Sequence, residues 1–179
     1  MLRKLILIKE TEIINKNWQG MNSDYRNELK INMLKALIAE KEKTVKMKIC
    51  DIITQVAHNV YESKEKWDEL LHYLSHTLLT PLNEDNILEA ESALFLIKSI
   101  FAYTHLEILM GINSLIPVFQ SFFKTNIMSL RTRAVETICE IICIVDKKHT
   151  KLLKDFVFNV LDTTYQCLQN PKEEQNVIK

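Results

Sequence analysis

Residues 44–57 read TVKMKICDIITQVA, and the apolar pattern of this stretch returns twice further along the chain. Val45 aligns with Leu88 and Leu130, at offsets of 43 and then 42 residues. The other aligned positions are mostly apolar: Ile49, Ser92 and Ala134; Ile53, Leu96 and Ile138; Val56, Ser99 and Ile141; Ala57, Ile100 and Ile142; Val60, Tyr103 and Val145. This spacing is typical of HEAT repeats, each a pair of antiparallel helices stacked on its neighbours. The pattern predicts an all-α fold, an α–α superhelix of the HEAT-repeat solenoid type.

The composition supports the same fold class. Hydrophobic residues make up 47% of the 179 residues and charged residues 26%, which is typical of a folded domain rather than a disordered chain. Only two glycines and three prolines are present, too few for the turns of a β-rich or α/β domain.

The charge balance and the hydropathy exclude several kinds of partner. The chain carries 23 basic and 23 acidic residues, so it lacks the excess positive charge that binds a polyanion, and no direct DNA binding is expected. No stretch approaches 18 consecutive apolar residues, so no membrane association is expected. Four cysteines lie within apolar helical patterns, which fits a reducing, intracellular compartment: Cys50, Cys139, Cys143 and Cys167.

The helical periodicity predicts one domain over residues 1–179. Three complete helix pairs are expected at about 23–62, 64–104 and 106–146, with partial repeats at about 1–14 and 149–170. Because residues 1–14 show no capping residue, the sequence is expected to be a fragment of a larger solenoid. In the last helix, six apolar residues are expected to face inward: Leu152, Leu153, Phe156, Val157, Val160 and Leu161. Both ends look apolar, so the isolated fragment is expected to self-associate through its uncapped ends.

Three side chains on one predicted helix have the spacing of metal ligands: Glu69, His72 and His76. A solvated polar edge explains the same spacing and is favoured, because no second Glu-x-x-His is present. Two glycines cannot form a glycine-rich phosphate loop. No catalytic, cofactor-binding or metal-binding residue is therefore predicted, and the chain is not expected to be an enzyme.

Cys139 and Cys143 also stand four residues apart. A redox pair and two core cysteines are both compatible with that spacing. Since they lie in an apolar helical pattern with no histidine near them in sequence, core cysteines are favoured.

Polar positions of the predicted second helices align between repeats and form a stripe, which we call the charged line. Its residues are Lys48, Asp51, Gln55, Glu91, Lys98, Arg133, Glu136 and Glu140. The sign of charge alternates along it, so it is a mixed surface rather than a basic track. It is interpreted either as a solvated face or as the concave face with which a curved solenoid binds protein partners.

Four segments then follow one another in a recognisable order: LRKL at 2–5, a loop with Trp18, SDYRNELKINMLKALIAEKEKTVKMKICDIITQVAHNV at 23–60, and EKWDELLHYL at 65–74. This order resembles the N-terminal part of importin-β-type (karyopherin-beta) nuclear transport receptors. The nearest branch is karyopherin beta three, also called importin five. The likeness is good over residues 2–79 and weaker beyond them, where LRTRAVETICEII at 130–142 resembles a HEAT second helix.

The resemblance implies a transport receptor without catalysis or a cofactor, which shuttles between cytoplasm and nucleus. Such receptors carry cargo proteins with basic localisation signals. They release cargo when the Ran GTPase in its GTP form binds the inner face of the N-terminal repeats. Phe-Gly nucleoporins bind between the outer helices. For this sequence, the resemblance implies that the charged line contacts Ran and that apolar grooves between outer helices accept phenylalanine side chains.

One departure from the family pattern concerns a charged position near the start of each second helix. The Val-Arg pair typical of HEAT repeats corresponds here to Val45-Lys46, Leu88-Glu89 and Leu130-Arg131. The basic residue is thus replaced by an acidic one in the middle repeat. The acidic partner expected a few residues earlier is Glu40, Asn83 and Thr125, so the usual Asp–Arg ladder is expected to be broken.

Two other functions are compatible with a HEAT solenoid. One is a scaffold for assembling a protein complex, such as a phosphatase regulatory subunit; such scaffolds usually have shorter repeats and a more regular Asp–Arg ladder. The other is the accessory helical domain of a large enzyme. The long repeat favours transport over the scaffold.

Overall fold

The computed structural model describes residues 17–144 and six later positions, which are Lys154, Val157, Phe158, Leu161, Asp162 and Tyr165. For residues 105–114 and 116 it describes the backbone and not the side chains. Five α-helices follow one another along the continuous part: α1 (Ser23–Ala39), α2 (Lys43–Glu62), α3 (Asp68–Leu79), α4 (Ile87–Lys124) and α5 (Met128–Ile144). Short 3-10 helices at Trp18–Gly20 and Glu84–Asn86 precede α1 and α4. The described residues contain no β-strand, and the predicted all-α repeat superhelix is confirmed.

Side chains just ahead of the first two helices bind the free N–H groups of the first turn. Before α1, the Asn22 side chain accepts a hydrogen bond from the Tyr25 main-chain N–H at 2.8 Å. Before α2, the Glu42 carboxylate accepts from the N–H groups of Thr44 and Val45 at 2.9 and 3.0 Å. A carboxylate at this place also interacts favourably with the positive end of the helix dipole.

The longest element, α4, consists of two helical segments that meet at a kink, close to the boundary predicted between the repeats at about 64–104 and 106–146. Thr104 lies inside it with non-helical backbone angles, φ −119° and ψ 15°. Its side chain is buried, and its hydroxyl donates to the Ile100 carbonyl at 3.1 Å. The residues next to Thr104 include no glycine or proline, so the helix changes direction here without a loop.

The core lies between α4 and the helices that pack against it, α2, α3 and α5. Residues that align between the predicted repeats share this core: Ile53, Leu96 and Ile138 are fully buried, and so are Ala57 and Ile100. Burying each such aliphatic side chain contributes roughly 1.5 to 3 kcal/mol. The stacking of equivalent apolar faces therefore holds the helices side by side.

A buried ion pair connects α2 to α4 at the interrupted position of the ladder. Lys46 is completely buried, and its Nζ donates to the Glu40 carbonyl at 3.1 Å and to Glu89 Oε1 at 3.3 Å. Lys41 Nζ lies 2.9 Å from the same oxygen. Lys46 and Glu89 occupy equivalent repeat positions, so the reversal of sign at Glu89 produces a contact between repeats. The Lys46 ammonium also provides a hydrogen-bond donor for the Glu40 carbonyl at the C-terminal end of α1.

The environment of Glu89 changes its titration. Partial burial disfavours the charged carboxylate, but the hydrogen bond from Lys41 and the nearby charge of Lys46 outweigh this effect. The pKa of Glu89 therefore lies below its ordinary value.

Two expectations about individual side chains are wrong. Cys139 and Cys143 are exposed rather than in the core, because the buried face of α5 is formed by Leu130, Ala134, Thr137, Ile138 and Ile141. Helical geometry places both cysteines on the opposite face. In the last helix, Val157 and Leu161 are also exposed, by 38% and 60%. Cys167, the other inward residues of that helix, and residues 1–14 lie outside the described residues.

No helix in the described part of the chain combines the length and apolarity needed to cross a membrane.

The ion pair of Lys46 makes a stability prediction. We expect Lys46→Ala to lower the free energy of unfolding by about 3 kcal/mol, because it leaves the Glu40 carbonyl without its donor and weakens the pairing of the partly buried Glu89 carboxylate. Lys41→Ala is the control, since the Lys41 side chain is 75% exposed and an exposed pair contributes about 1 kcal/mol or less. Urea denaturation measures both. Equal losses for the two variants would show that Lys46 has no special role.

The depressed pKa of Glu89 predicts how stability depends on pH. A carboxyl group whose pKa is lower in the folded state stabilises the fold above the unfolded pKa, and this contribution is lost as the pH falls through the folded pKa. The loss should therefore begin below about pH 4.5, the ordinary value for this group. In Glu89→Gln this part of the pH dependence should be absent. Unfolding free energies measured from pH 7 down to about pH 3 compare the two proteins, and parallel curves would contradict the prediction.

The positions of the cysteines predict their reactivity. Burial raises the pKa of Cys50 to about 12, whereas Cys139 and Cys143 are exposed on α5. Iodoacetamide at neutral pH should alkylate Cys139 and Cys143 at least about 100-fold faster than Cys50, because the thiolate must form and be reached. Peptide mass mapping assigns each product. Labelling of Cys50 at the same rate as the other two would contradict the packing of α2.

Candidate partner-binding surfaces

The charged line crosses three helices, and the structure pairs most of its charges within the chain. On α2, Lys48 Nζ lies 2.7 Å from Asp51 Oδ2, and each side chain is nearly half exposed. Gln55 follows one turn later and is exposed. This end of the line thus offers a neutral pair and an amide rather than a free charge.

Glu91 lies on α4 within the charged line but is buried rather than solvated, with 5% of its surface exposed. Lys43, at the start of α2, reaches over it with Nζ at 2.6 Å from Glu91 Oε2. The lysine is 58% exposed in its side chain. A partner approaching this point therefore contacts Lys43, which is not one of the aligned positions that define the charged line.

The other end of the charged line is a compact group around Glu136, which we call the Glu136 cluster. Lys98 Nζ of α4 lies 3.2 Å and Arg133 Nη1 of α5 lies 3.0 Å from Glu136 Oε2. The Arg133 guanidinium also stands over the ring of Phe95, 5.4 Å from its centroid. Glu140 follows one turn after Glu136 and is half-buried.

Phe95 belongs to this surface, but it is not among the aligned positions that the sequence analysis assigned to the charged line. It precedes Lys98 by three residues, so both lie on one face of α4. An aromatic residue three positions before Lys98 is the sequence feature from which Phe95 could have been assigned to this surface. Next to the cluster is a recess of about 460 Å³ lined by Met128, Ser129, Thr132, Arg133 and Glu136.

Electrostatically, the charged line is a row of internally paired groups. Except for the buried Glu91, its paired members are roughly one-third to one-half exposed. Exposed or half-exposed pairs of this kind contribute about 0 to 1 kcal/mol each. Their side chains can therefore exchange partners at small energetic cost when another protein approaches.

A second surface lies between α1 and α3, and we call it the α1–α3 groove. It has a volume of about 570 Å³ and is lined by Leu34, Ile38, Asp68, Glu69, His72, Tyr73 and His76. Ile38 is 54% exposed, so its side chain is accessible to a partner that enters the groove. Burial raises the pKa of Tyr73 to about 12, so its phenol stays neutral. The groove combines an apolar floor with polar groups along α3.

Glu69, His72 and His76, the three residues with the spacing of metal ligands, lie along the α3 side of this groove. The rings of His72 and His76 are nearly parallel, with centroids 6.4 Å apart. Across the described part of the chain, no three His, Cys, Asp or Glu side chains are arranged to hold a metal ion.

Comparison with known families bears on these surfaces. A family model described as IPO5-like, TPR repeats, matches residues 41–179, which is more than three quarters of the chain. The chain belongs to this family. The importin-five branch named from the sequence is thereby confirmed. Neither the curated proteins nor the solved structures include a match to this chain.

Membership in the IPO5-like family makes the chain a region of an importin-type transport receptor. Its members are repeat proteins of transport, a class that is typically non-enzymatic. The matched residues include α2 to α5, and so they include the whole charged line, whereas α1 lies before them. The likeness therefore extends through residues 80–179, where the sequence segments alone resembled the family only weakly.

Proposed function

We propose that the charged line is the surface through which this receptor region binds the GTP form of Ran, and that the same inner face receives cargo proteins with basic localisation signals. The observation that carries this proposal is the row formed by α2, α4 and α5, whose polar faces follow one another in repeat order. Under this proposal, residues 1–179 form one domain whose repeats occupy about 23–62, 64–104 and 106–146. The receptor would move between cytoplasm and nucleus.

The chemistry of the charged line suits a reversible protein contact. Lys48, Asp51 and the Glu136 cluster present both signs of charge within pairs that are only partly desolvated. A partner with complementary charges can replace these internal pairs, and such complementarity determines specificity and association rate more than affinity. Phe95 beside Arg133 adds an aromatic contact of the kind that dominates binding energy at interfaces.

The α1–α3 groove suits a different partner. Leu34, Ile38 and Tyr73 offer an apolar depression between neighbouring helices. A phenylalanine side chain gains most of its binding energy by removing apolar surface from water. We therefore propose that Phe-Gly nucleoporins bind in this groove during passage through the nuclear pore.

The Ran proposal predicts the effect of charge reversal. We expect Lys48→Glu, Arg133→Glu and Glu136→Lys combined to weaken binding of Ran-GTP by about tenfold or more, because the variant opposes like charges across the interface. Pull-down with Ran loaded with GTP or GDP measures the effect. Lys35→Glu is the matched control: it produces the same change in net charge at an exposed position of α1, away from the charged line. Unchanged Ran-GTP binding by the triple variant would overturn the proposal. Binding of other proteins without regard to nucleotide would favour the scaffold function.

The groove proposal predicts the effect of placing a charge in the groove. Ile38→Asp should weaken binding of Phe-Gly repeat peptides by about tenfold, since it places a carboxylate against the phenyl ring. Ile31→Asp is the matched control, because Ile31 lies on the same helix and is similarly exposed, at 45%, but does not line the groove. Fluorescence anisotropy with a labelled peptide measures both. Equal affinities for the two variants would place the Phe-Gly site elsewhere.

A further inference from the structure

Thr80 and Pro81 form the only Ser-Pro or Thr-Pro step among the 179 residues. The step lies immediately after α3, which ends at Leu79. Leu79, Thr80 and Pro81 are all exposed. A threonine followed by proline in an exposed connection has the chemical form that proline-directed protein kinases select.

The backbone at this step also has the required shape. Thr80 is extended, with φ −69° and ψ 129°, as expected for a residue that precedes proline. None of the described peptide bonds is cis, so the bond between Thr80 and Pro81 is trans. A recess of about 460 Å³ lies beside it, lined by His72, Ser75, His76, Leu79, Thr80 and Pro81. The hydroxyl is thus near open solvent rather than beneath a neighbouring helix.

We propose that Thr80 is a phosphorylation site for a proline-directed protein kinase. In the reaction, Oγ1 of Thr80 forms a bond to the γ-phosphorus of a nucleoside triphosphate. The bond from that phosphorus to the bridging oxygen breaks, and the nucleoside diphosphate leaves. The hydroxyl proton passes to a base of the kinase.

Two local interactions must open for a kinase to reach the hydroxyl. Thr80 Oγ1 donates to the His76 carbonyl at 2.7 Å, and the Thr80 main-chain N–H donates to the same carbonyl at 3.1 Å. On the other side, the Asn86 side-chain amide donates to the Pro81 carbonyl at 2.9 Å. These contacts involve a helix end and an exposed turn, which open at low free energy compared with the core.

Phosphorylation would change the end of α3 in a defined way. The phosphate removes the hydroxyl donor from the His76 carbonyl and adds about two negative charges at the negative end of the helix dipole. His72 and His76 are the cationic candidates near it, and Asp68, Glu69 and Tyr73 are the other titratable groups along this side of α3. The last turn of α3 should therefore loosen.

The test incubates the folded chain with a proline-directed Ser/Thr kinase and ATP, and maps the product by mass spectrometry. We expect one phosphate on Thr80, none in Thr80→Val, and at least about a tenfold lower rate in Pro81→Ala, which keeps the hydroxyl but lacks the proline. A synthetic peptide of residues 74–87 runs in parallel. If the kinase phosphorylates the peptide but not the folded chain, the fold hides Thr80 and the proposal is wrong. No phosphate on either, or equal rates for Pro81→Ala and the natural chain, would overturn it as well.

A second measurement separates a surface modification from labelling of unfolded protein. The phosphorylated chain should keep its helical circular dichroism and unfold about 2–4 °C lower than the unmodified chain. Thr80→Val reports the loss of the hydroxyl bond alone and should shift Tm by less. Loss of the helical signal on phosphorylation would show that only unfolded molecules were modified, and this too would overturn the proposal.

Discussion

The structure depends on one constraint: a pair of amphipathic helices cannot cover its own apolar face. The element α4 resolves this by packing against α2, α3 and α5. Its residues Leu94, Leu96, Ile100 and Phe101 are completely buried, which is possible only because helices pack on more than one of its faces. In such a stack each repeat is stabilised mainly by its neighbours. The polar positions that remain are consequently displayed in a row, and this row is the charged line.

Charge within this stack has two physically different roles. Lys46 is enclosed, and its contacts to Glu40 and Glu89 are needed because an unpaired buried ammonium would be strongly destabilising. The pairs at Lys48 and in the Glu136 cluster are half exposed, so they contribute little to stability and remain available for exchange with a partner. A reversed sign at Glu89 within the repeat is thus part of the fold, whereas mixed signs along the exposed line suit recognition.

Much of the candidate site could be predicted from the alignment of repeats, because equivalent positions of stacked helices point in equivalent directions. Lys98, Arg133 and Glu136 fall together as that rule requires. The rule fails at Glu91, which is buried beneath Lys43. The alignment of repeats predicts on which side of a helix a residue lies, but not which side chain of a neighbouring helix covers it. It also omits Phe95, since the charged line was defined from polar positions of the repeats. The exposure of Cys139 and Cys143 has the same origin: their apolar context suggested the core, but the register of α5 places them opposite its buried face.

By itself the sequence determined the all-α class and the spacing of about 43 residues between equivalent positions, because periodic burial and the scarcity of glycine and proline are properties of the chain. The importin-type family came from the order of its segments and the family match. Tertiary structure alone decided that Lys46 pairs with Glu89 and that α1 and α3 leave a groove at Ile38. The physical reason is that these features depend on which side chains meet across helices distant in sequence. Local propensity and periodicity do not contain that information.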